Sequence, residues 1–538
     1  MNVNVQQRRA GGKRRQGANG KARKQRAQRL AARRRRIEKR LDKTRLPTGC
    51  PVLSAANIHY ELADRTRAIS AGGIGLIHQM VRQLRLAERI NRQVNIFKIY
   101  LPYSESDHVL NIAYNLLCGG ERLEHLELRR NDEAYLDAVG AQRIPDPTTA
   151  GDFCRRFSRW NTFLLQETFN DIRLAVWAQQ PDSFFEEALI DADGTMVETT
   201  GQCKQGIDIN HKGQWGYQAL VISLANTGEP LYIANRPGNR PSHEGADLYL
   251  DRAGALCRRA GFRKITFRGD TDFTQTAKLD EWDEAGYGFV FGIDAMPNLY
   301  ELAENLPNSA WKRLPRRPRY EVKTQPRARP ENVKERIVKE REFKNIRLAR
   351  EYVAEFPYRP TKCRKTYRVV VVWKDLDVSQ GQKWLFDDTR CFFYITNDWE
   401  RSPEEIVRRA HHRCDQENLI AQQKGGVRAL TAPLDNLQSN EAYMVMASLA
   451  WSLKAWAALL LPVNNRWNDK HEEQKQKLLR MDFGTFRNAM MNVPAQIIKG
   501  GRKLVYRLLG WNPWQSVFFR LWDRLLLPVE LPSLPQRC

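Results

Sequence analysis

The sequence predicts an α/β fold: a mixed sheet flanked by helices, interrupted by an inserted and partly β subdomain, with a helical N-terminal domain and a helical C-terminal tail. Three observations predict it. Between Glu187 and Arg236 three apolar runs of strand length follow one another with turn residues between them. From about residue 244 to 294, helical and strand patterns alternate. Before 180 and after 436 the chain reads as helical.

The first 50 residues stand apart as a basic arm. They hold 18 Lys or Arg against two acids, a net of +16, which leaves +9 of the total +25 to the other 488 residues. Such a surplus calls for a polyanionic partner, most simply nucleic acid. A helix is favoured through roughly 22–43, around ARKQRAQRLAARRRRIEKRL, once phosphate neutralises it, with disorder expected before it. A DNA-gripping arm without sequence preference and a merely solvated tail both fit this composition.

Residues 51–180 form the predicted helical domain. IGLIHQMVRQLRLAERI is amphipathic, HVLNIAYNLLCGG stops at its glycines, and IPDPTTAGDFCRRF places a Thr cap before another helix. A helix-turn-helix and a plain bundle fit this spacing equally.

The core opens at 181 and its first part runs to 299. EALIDADGTMV, YQALVISL and PLYIANR read as successive strands. A helix follows at about 244–261, then the strand KITFRGD, a helix at about 274–286 and the strand YGFVFGID. Residues 300–390 read as a basic, β-containing insertion, with Lys, Arg and Pro crowded into 312–350 before YRVVVVW and KWLFDD. The strand CFFYIT resumes the core, whose second part spans 391–462, and 463–538 is a Trp-rich tail expected to be helical.

Nine cysteines without a CxxC pair imply neither a zinc ribbon nor a disulfide framework, and suit a reducing, cytoplasmic setting. The run Ala442–Leu461 imitates a membrane span, yet Lys454 lies in it, and a buried core helix is the better reading. No membrane partner is expected.

The residues that suggest chemistry lie in three places. Asp191 and Asp193 alternate onto one face of a strand, and Asp270 and Asp272 sit at a strand terminus, where ligands of mixed α/β sheets are commonly met. Glu417 lies on a helix predicted from Glu404 to Lys424, opened by Ser402-Pro403 and ended by Gly425-Gly426. At about 100° per residue, Arg413, Glu417 and Lys424 share one face of it. A solvated salt-bridge ladder has the same spacing. One acid from each place would make an all-oxygen site suited to Mg²⁺ or Mn²⁺, and two such ions can cleave a phosphodiester.

In this order the motifs resemble a known family. DGT in a first strand, RGD ending a later one, and R-(3)-E-(6)-K at Arg413, Glu417 and Lys424 are similar to the insertion-sequence DDE transposases, whose helical signature is Y-(2)-R-(3)-E-(6)-K. SDHVLNIAYNLLCGG, IPDPTTAGDF, RPGN with SHEGA, and YGFVFGID resemble in particular the insertion-sequence family numbered 1380. The resemblance covers roughly 100–462. It implies an RNase-H-like catalytic core holding two divalent ions on Asp193, Asp270 and Glu417. Asp191 stays open as the first acid, although Gly194-Thr195 after Asp193 matches the family pattern.

The resemblance further implies cut-and-paste transposition on double-stranded DNA, at transposon ends and target, by a homodimer. Arg413 and Lys424 would contact phosphates. The insertion's cluster of Lys312, Arg313, Arg316, Arg317 and Arg319, beside Trp311 and Tyr320, would grip a strand. One departure stands out: Ala410 occupies the signature Tyr position, followed by His411 and His412. A DNA-binding protein without catalysis, decayed or domesticated, is the competing expectation, and a structure-specific nuclease a third.

Overall fold

The computed structural model describes residues 3–41, 55, 58–60, 66–98, 102–315, 331–380, 383–501 and 503–529. In chain order its strands are β1 (Ala68–Ile69), β2 (Glu187–Glu198), β3 (Asp208–Ile209), β4 (Trp215–Leu224), β5 (Glu229–Pro237), β6 (Lys264–Gly269), β7 (Gly288–Ile293), β8 (Lys312–Arg313), β9 (Lys344–Tyr358), β10 (Tyr367–Gln380), β11 (Lys383–Thr396), β12 (Ala495–Gly500) and β13 (Lys503–Leu508). Two compact units share the chain: residues 1–88, 99–150 and 460–538 make one, residues 89–98 and 151–459 the other.

The second unit is built on a ten-stranded mixed sheet in the order β3-β4-β2-β6-β7-β11-β10-β9-β8, with β5 also on β4. The hairpin-linked strands β2, β4 and β5 pair antiparallel, while β2, β6 and β7 run parallel. The parallel pairs need crossovers, and the helix Ala246–Ala260 and the shorter Leu279–Glu284 supply them. Each strand read between 187 and 294 is present.

The strands of the insertion, expected as a basic and partly β subdomain, continue the core sheet: β11 pairs with β7 through Phe393↔Ile293 to Thr396↔Val290, so β8–β11 prolong it. KWLFDD, read as the end of the insertion, and CFFYIT, read as a strand of the core, lie on one 14-residue strand. The long strand β9 went unread because its first half, KNIRLARE, is mostly exposed and lacks apolar alternation.

Two helices cover the β5 side of this unit, Arg159–Trp177 and Leu437–Leu459. The second is the apolar run that imitates a membrane span; it is buried in the core, with Lys454 Nζ 3.8 Å above the Trp451 ring. Between these helices and β5, Glu229 is fully buried and accepts from Arg173 Nε (2.9 Å), Trp177 Nε1 (3.0 Å) and Trp456 Nε1 (2.9 Å).

The first unit contains the predicted helices Ile74–Gln83 and Glu105–Leu117, and also Glu133–Val139, which the sequence reading did not single out. The basic arm is helical from Val3 to Leu41, not only from about residue 22, as its Arg, Gln, Ala and Lys content allows. The C-terminal tail is not wholly helical. The hairpin β12–β13, whose last pair is Gly500↔Lys503, joins β1 in a three-stranded antiparallel sheet. The dipeptide Gly500-Gly501 between two β-branched runs was the available turn signal.

Candidate active site

Strand register brings the first two acids together. The parallel pairing of β2 with β6 ends at Asp191↔Arg268, and two residues further on each chain Asp193 falls beside Asp270, on the same face. The pair below them is a buried ion pair: Arg268 Nε and Nη2 reach Asp191 Oδ1 and Oδ2 at 2.7 and 2.8 Å, and Nη1 reaches Arg409 O at 3.0 Å. Asp191 is therefore engaged by Arg268 as part of the core, and burial pushes its carboxyl up against the opposing pull of that guanidinium.

Two glycines shape this corner. A Cβ on Gly194 would stand 2.9 Å from Gln218 Nε2 and from Ser242 Cβ, so the residue after Asp193 must be small. A Cβ on Gly269 would lie 2.6 Å from Phe273 Cβ, so the turn under Asp270 has the same requirement. Asp270 caps that turn, accepting from Asp272 N at 3.1 Å, while Asp272 itself is exposed.

Glu417 arrives on a broken helix. The first segment, Pro403–His411, starts at a capping box in which Ser402 N donates to Glu405 Oε2 (2.9 Å) and Glu405 N donates to Ser402 Oγ (3.3 Å). Its Ile406, Val407 and Ala410 face Val290, Val353, Val370 and Val372 of the sheet. At His412–Arg413 the chain tightens to i→i−3 bonds, Arg413 N to Ala410 O (3.3 Å) and Gln416 N to Arg413 O (2.8 Å). A second segment, Cys414–Ala421, passes into one π-turn at Gln422–Gly426. The single helix expected over 404–424 is thus three pieces.

The result is one cation among three acids. Arg413 Nη1 lies 3.8 Å from Asp193 Oδ2 and 3.9 Å from Asp270 Oδ2, and Nη2 lies 4.0 Å from Glu417 Oε1. The Asp193, Asp270 and Glu417 side chains are 15%, 36% and 61% exposed, so the group opens from sheet to solvent. Burial pushes the Asp193 carboxyl up to about 7; Arg413 opposes the shift and neighbouring Asp270 adds to it. The Asp270 carboxyl is raised for the same first reason, with Arg413 again opposing.

The family described as Transposase DDE domain group 1 matches residues 56–528. This chain is a DDE transposase. No curated protein matches it significantly. Among solved structures, the cryo-EM structure of a piggyBac transposase synaptic complex with hairpin DNA is similar at 9% identity and a TM-score of 0.35, over 87% of this chain and 88% of that one.

The basic residues of the transposase divide in two. Lys424 stays near the acids, half-buried, with Nζ donating to Met196 O at 2.7 Å; burial lowers its pKa. The π-turn carries it to β2 rather than alongside Glu417. Lys312 and Arg313 are exposed on the edge strand β8, which β7, β11, β10 and β9 separate from β6, so the fold does not bring them to the acids. Trp311 beside them packs edge-on against Trp373, centroids 5.6 Å apart. Arg316, Arg317, Arg319 and Tyr320 lie outside the described residues.

Two positions went unread in the sequence. Buried Gln416 pins the Glu417 segment to the sheet, with Nε2 donating to Val221 O at 3.0 Å and Oε1 accepting from Ser223 Oγ. Tyr394 on β11 reaches His411 Nε2 at 3.3 Å, and burial pushes its phenol up to about 12. Neither follows a local pattern; both depend on partners about 20 to 200 residues away. Ala410, at the signature Tyr position, lies against the valine cluster.

The fit of a metal can be judged from the donors. Among the described residues no three His, Cys, Asp or Glu side chains stand close enough to share an ion as placed. Around Arg413, however, three carboxylates converge on one positive centre, and oxygen donors of this type suit Mg²⁺ or Mn²⁺. The raised Asp193 carboxyl would gain from a nearer cation.

Proposed function

We propose that this DDE transposase hydrolyses phosphodiesters at the ends of a mobile element and joins the freed 3′-hydroxyl to target DNA, as a cut-and-paste enzyme of the Y-R-E-K type. The observation that carries this reading is the convergence of Asp193, Asp270 and Glu417 on Arg413 from β2, the end of β6 and the segment after the helix break. Three successive antiparallel strands followed by parallel ones support an RNase-H-like core.

In this reading Asp193, Asp270 and Glu417 would hold two Mg²⁺ or Mn²⁺ ions. Bound there, the ions would supply an activated attacking oxygen and stabilise the leaving one. Asp193 must give up its proton to serve, which its carboxyl, pushed up to about 7, does near neutral pH. Arg413, one-fifth exposed among the acids, would turn toward a DNA phosphate. Lys424 holds the β2 backbone at Met196 and offers its charge from the same side. Double-stranded DNA as partner, a homodimer bridging two ends and a hairpin intermediate belong to the same proposal, as does kinship with the insertion-sequence family numbered 1380.

The competing reading, DNA binding without cutting, takes its support from Ala410 and from the loose spacing of the acids. Incubation with Mg²⁺ and a labelled duplex carrying an element end separates them. Nicks and joined products are expected, Glu417→Gln abolishing both while binding persists. Binding without nicks by the unaltered protein favours the competitor, and cutting retained in Glu417→Gln removes Glu417 from the site.

A further inference from the structure

The N-terminal helix is docked on the C-terminal part of its own unit by one face. Between Gly20 and Arg40 the partly covered positions are Arg26, Leu30, Arg33 and Ile37, spaced four, three and four apart. Arg26 Nη2 donates to Asp523 Oδ1 and Oδ2 at 2.8 and 2.7 Å, and its guanidinium lies 4.5 Å from the Phe519 ring centroid. Arg23 Nε adds a third bond to Asp523 at 3.0 Å. One turn further on, Arg33 Nη1 donates to Leu508 O (3.1 Å) and Gly510 O (2.8 Å).

The opposite half of the helix has another character. At about 100° per residue, Lys21, Lys24, Arg35 and Lys39 point away from the docked face, and Arg29 and Arg36 stand on one flank of it. All six are exposed, and among the described residues none pairs with an acid. From Lys21 to Lys39 they cover about 27 Å at 1.5 Å per residue. Six unpaired like charges along the outer and flanking sides of one helix repel each other, so the helix costs energy to hold in place until a polyanion covers it. Asp523 and the two backbone carbonyls hold it in place.

From this we infer that the arm is a fixed cationic ridge, anchored through Asp523, that binds the phosphate backbone of duplex DNA without reading its bases. A free tether would have to be ordered on binding; a docked helix presents its cations already aligned. The inference rests on the reading of the chain as a DNA transposase, and its test runs without metal so that cleavage plays no part.

The test measures binding of the full-length protein to a labelled duplex of arbitrary sequence in EDTA across a salt series. Replacing these six exposed cations by Gln should weaken binding at low salt by tenfold or more. It should also make the salt dependence of log K shallower by about 3 to 5, at roughly 0.9 per lost phosphate contact. Asp523→Asn and Asp523→Ala should each weaken binding several-fold and leave the salt slope unchanged, because the same cations still meet phosphate. Circular dichroism confirms that each variant is folded. An unchanged slope in the six-fold variant, unchanged affinity in both Asp523 variants, or tighter binding of single-stranded RNA than of duplex would overturn the proposal. Absence of cutting by the unaltered protein when Mg²⁺ is supplied, with this duplex binding intact, would overturn the catalytic reading and leave this one standing.

Discussion

Two aspartates on one strand face meet different neighbours. Asp191 is fully buried against Arg268, whereas Asp193 sits at the rim with Arg413 at 3.8 Å. The pattern Asp-Ala-Asp left the choice open, since alternation puts both carboxylates on the same side. The difference has a pH signature. An acid raised to about 7 keeps its proton in the folded protein between its ordinary value near 4 and pH 7, where the unfolded chain has lost it. Stability therefore falls as pH rises through that window, and the cost is complete above 7. Asp193→Asn lacks the cost. Thermal unfolding in EDTA should find the variant more stable than wild type at pH 8, with the difference closing as pH falls toward 4. An unchanged difference would remove Asp193's burial as the cause.

The segment from Ser402 to Gly426 shows which parts of an element are local. Its start was legible, because Ser402, Pro403 and Glu405 form a capping box and initial turn within a few residues. Its breaks were not. Arg, Gln, Glu and Leu favour an unbroken helix, but Ile406, Val407 and Ala410 pack on the valine strands while Gln416 bonds to Val221 and Ser223, and the tightened turn at 412–413 reconciles the two attachments. The start should be separable from the site. Ser402→Ala is expected to cost about 1 kcal/mol in denaturant unfolding, the usual value for a lost N-cap. Cutting at saturating DNA should be little changed, because Glu417 is fixed through Gln416 rather than through the cap.

Within the sheet-bearing unit, stability and site are laid out on one continuous sheet. The acids stand where β2 and β6 part, and Glu229 at the head of β5 ties in Trp177, Arg173 and Trp456 from the two covering helices. Glu229→Ala would leave Arg173, 1% exposed, without its buried counter-charge. Loss of one partner of such a pair costs about 3–5 kcal/mol, and urea unfolding should read a drop of that order. Wild-type-like stability would mean that Asn170 and Pro230 O, which also accept from Arg173, suffice.

The sequence by itself determined the mixed α/β class, the strands from 187 to 294 and the start of a helix at Ser402-Pro403, and it supplied the motifs on which the resemblance to DDE transposases rests. These are set by neighbours within a turn or a strand, which the chain carries wherever it goes. Only the tertiary structure decided that the insertion prolongs the core sheet, that the tail contributes a hairpin to β1, and that Lys312 and Arg313 lie on a far edge. Only it paired Asp191 with Arg268, left Asp193 at the rim and set Arg413 among the acids. Each of those outcomes is a choice of partner across a long stretch of chain, fixed by strand register and side-chain packing rather than by the local pattern.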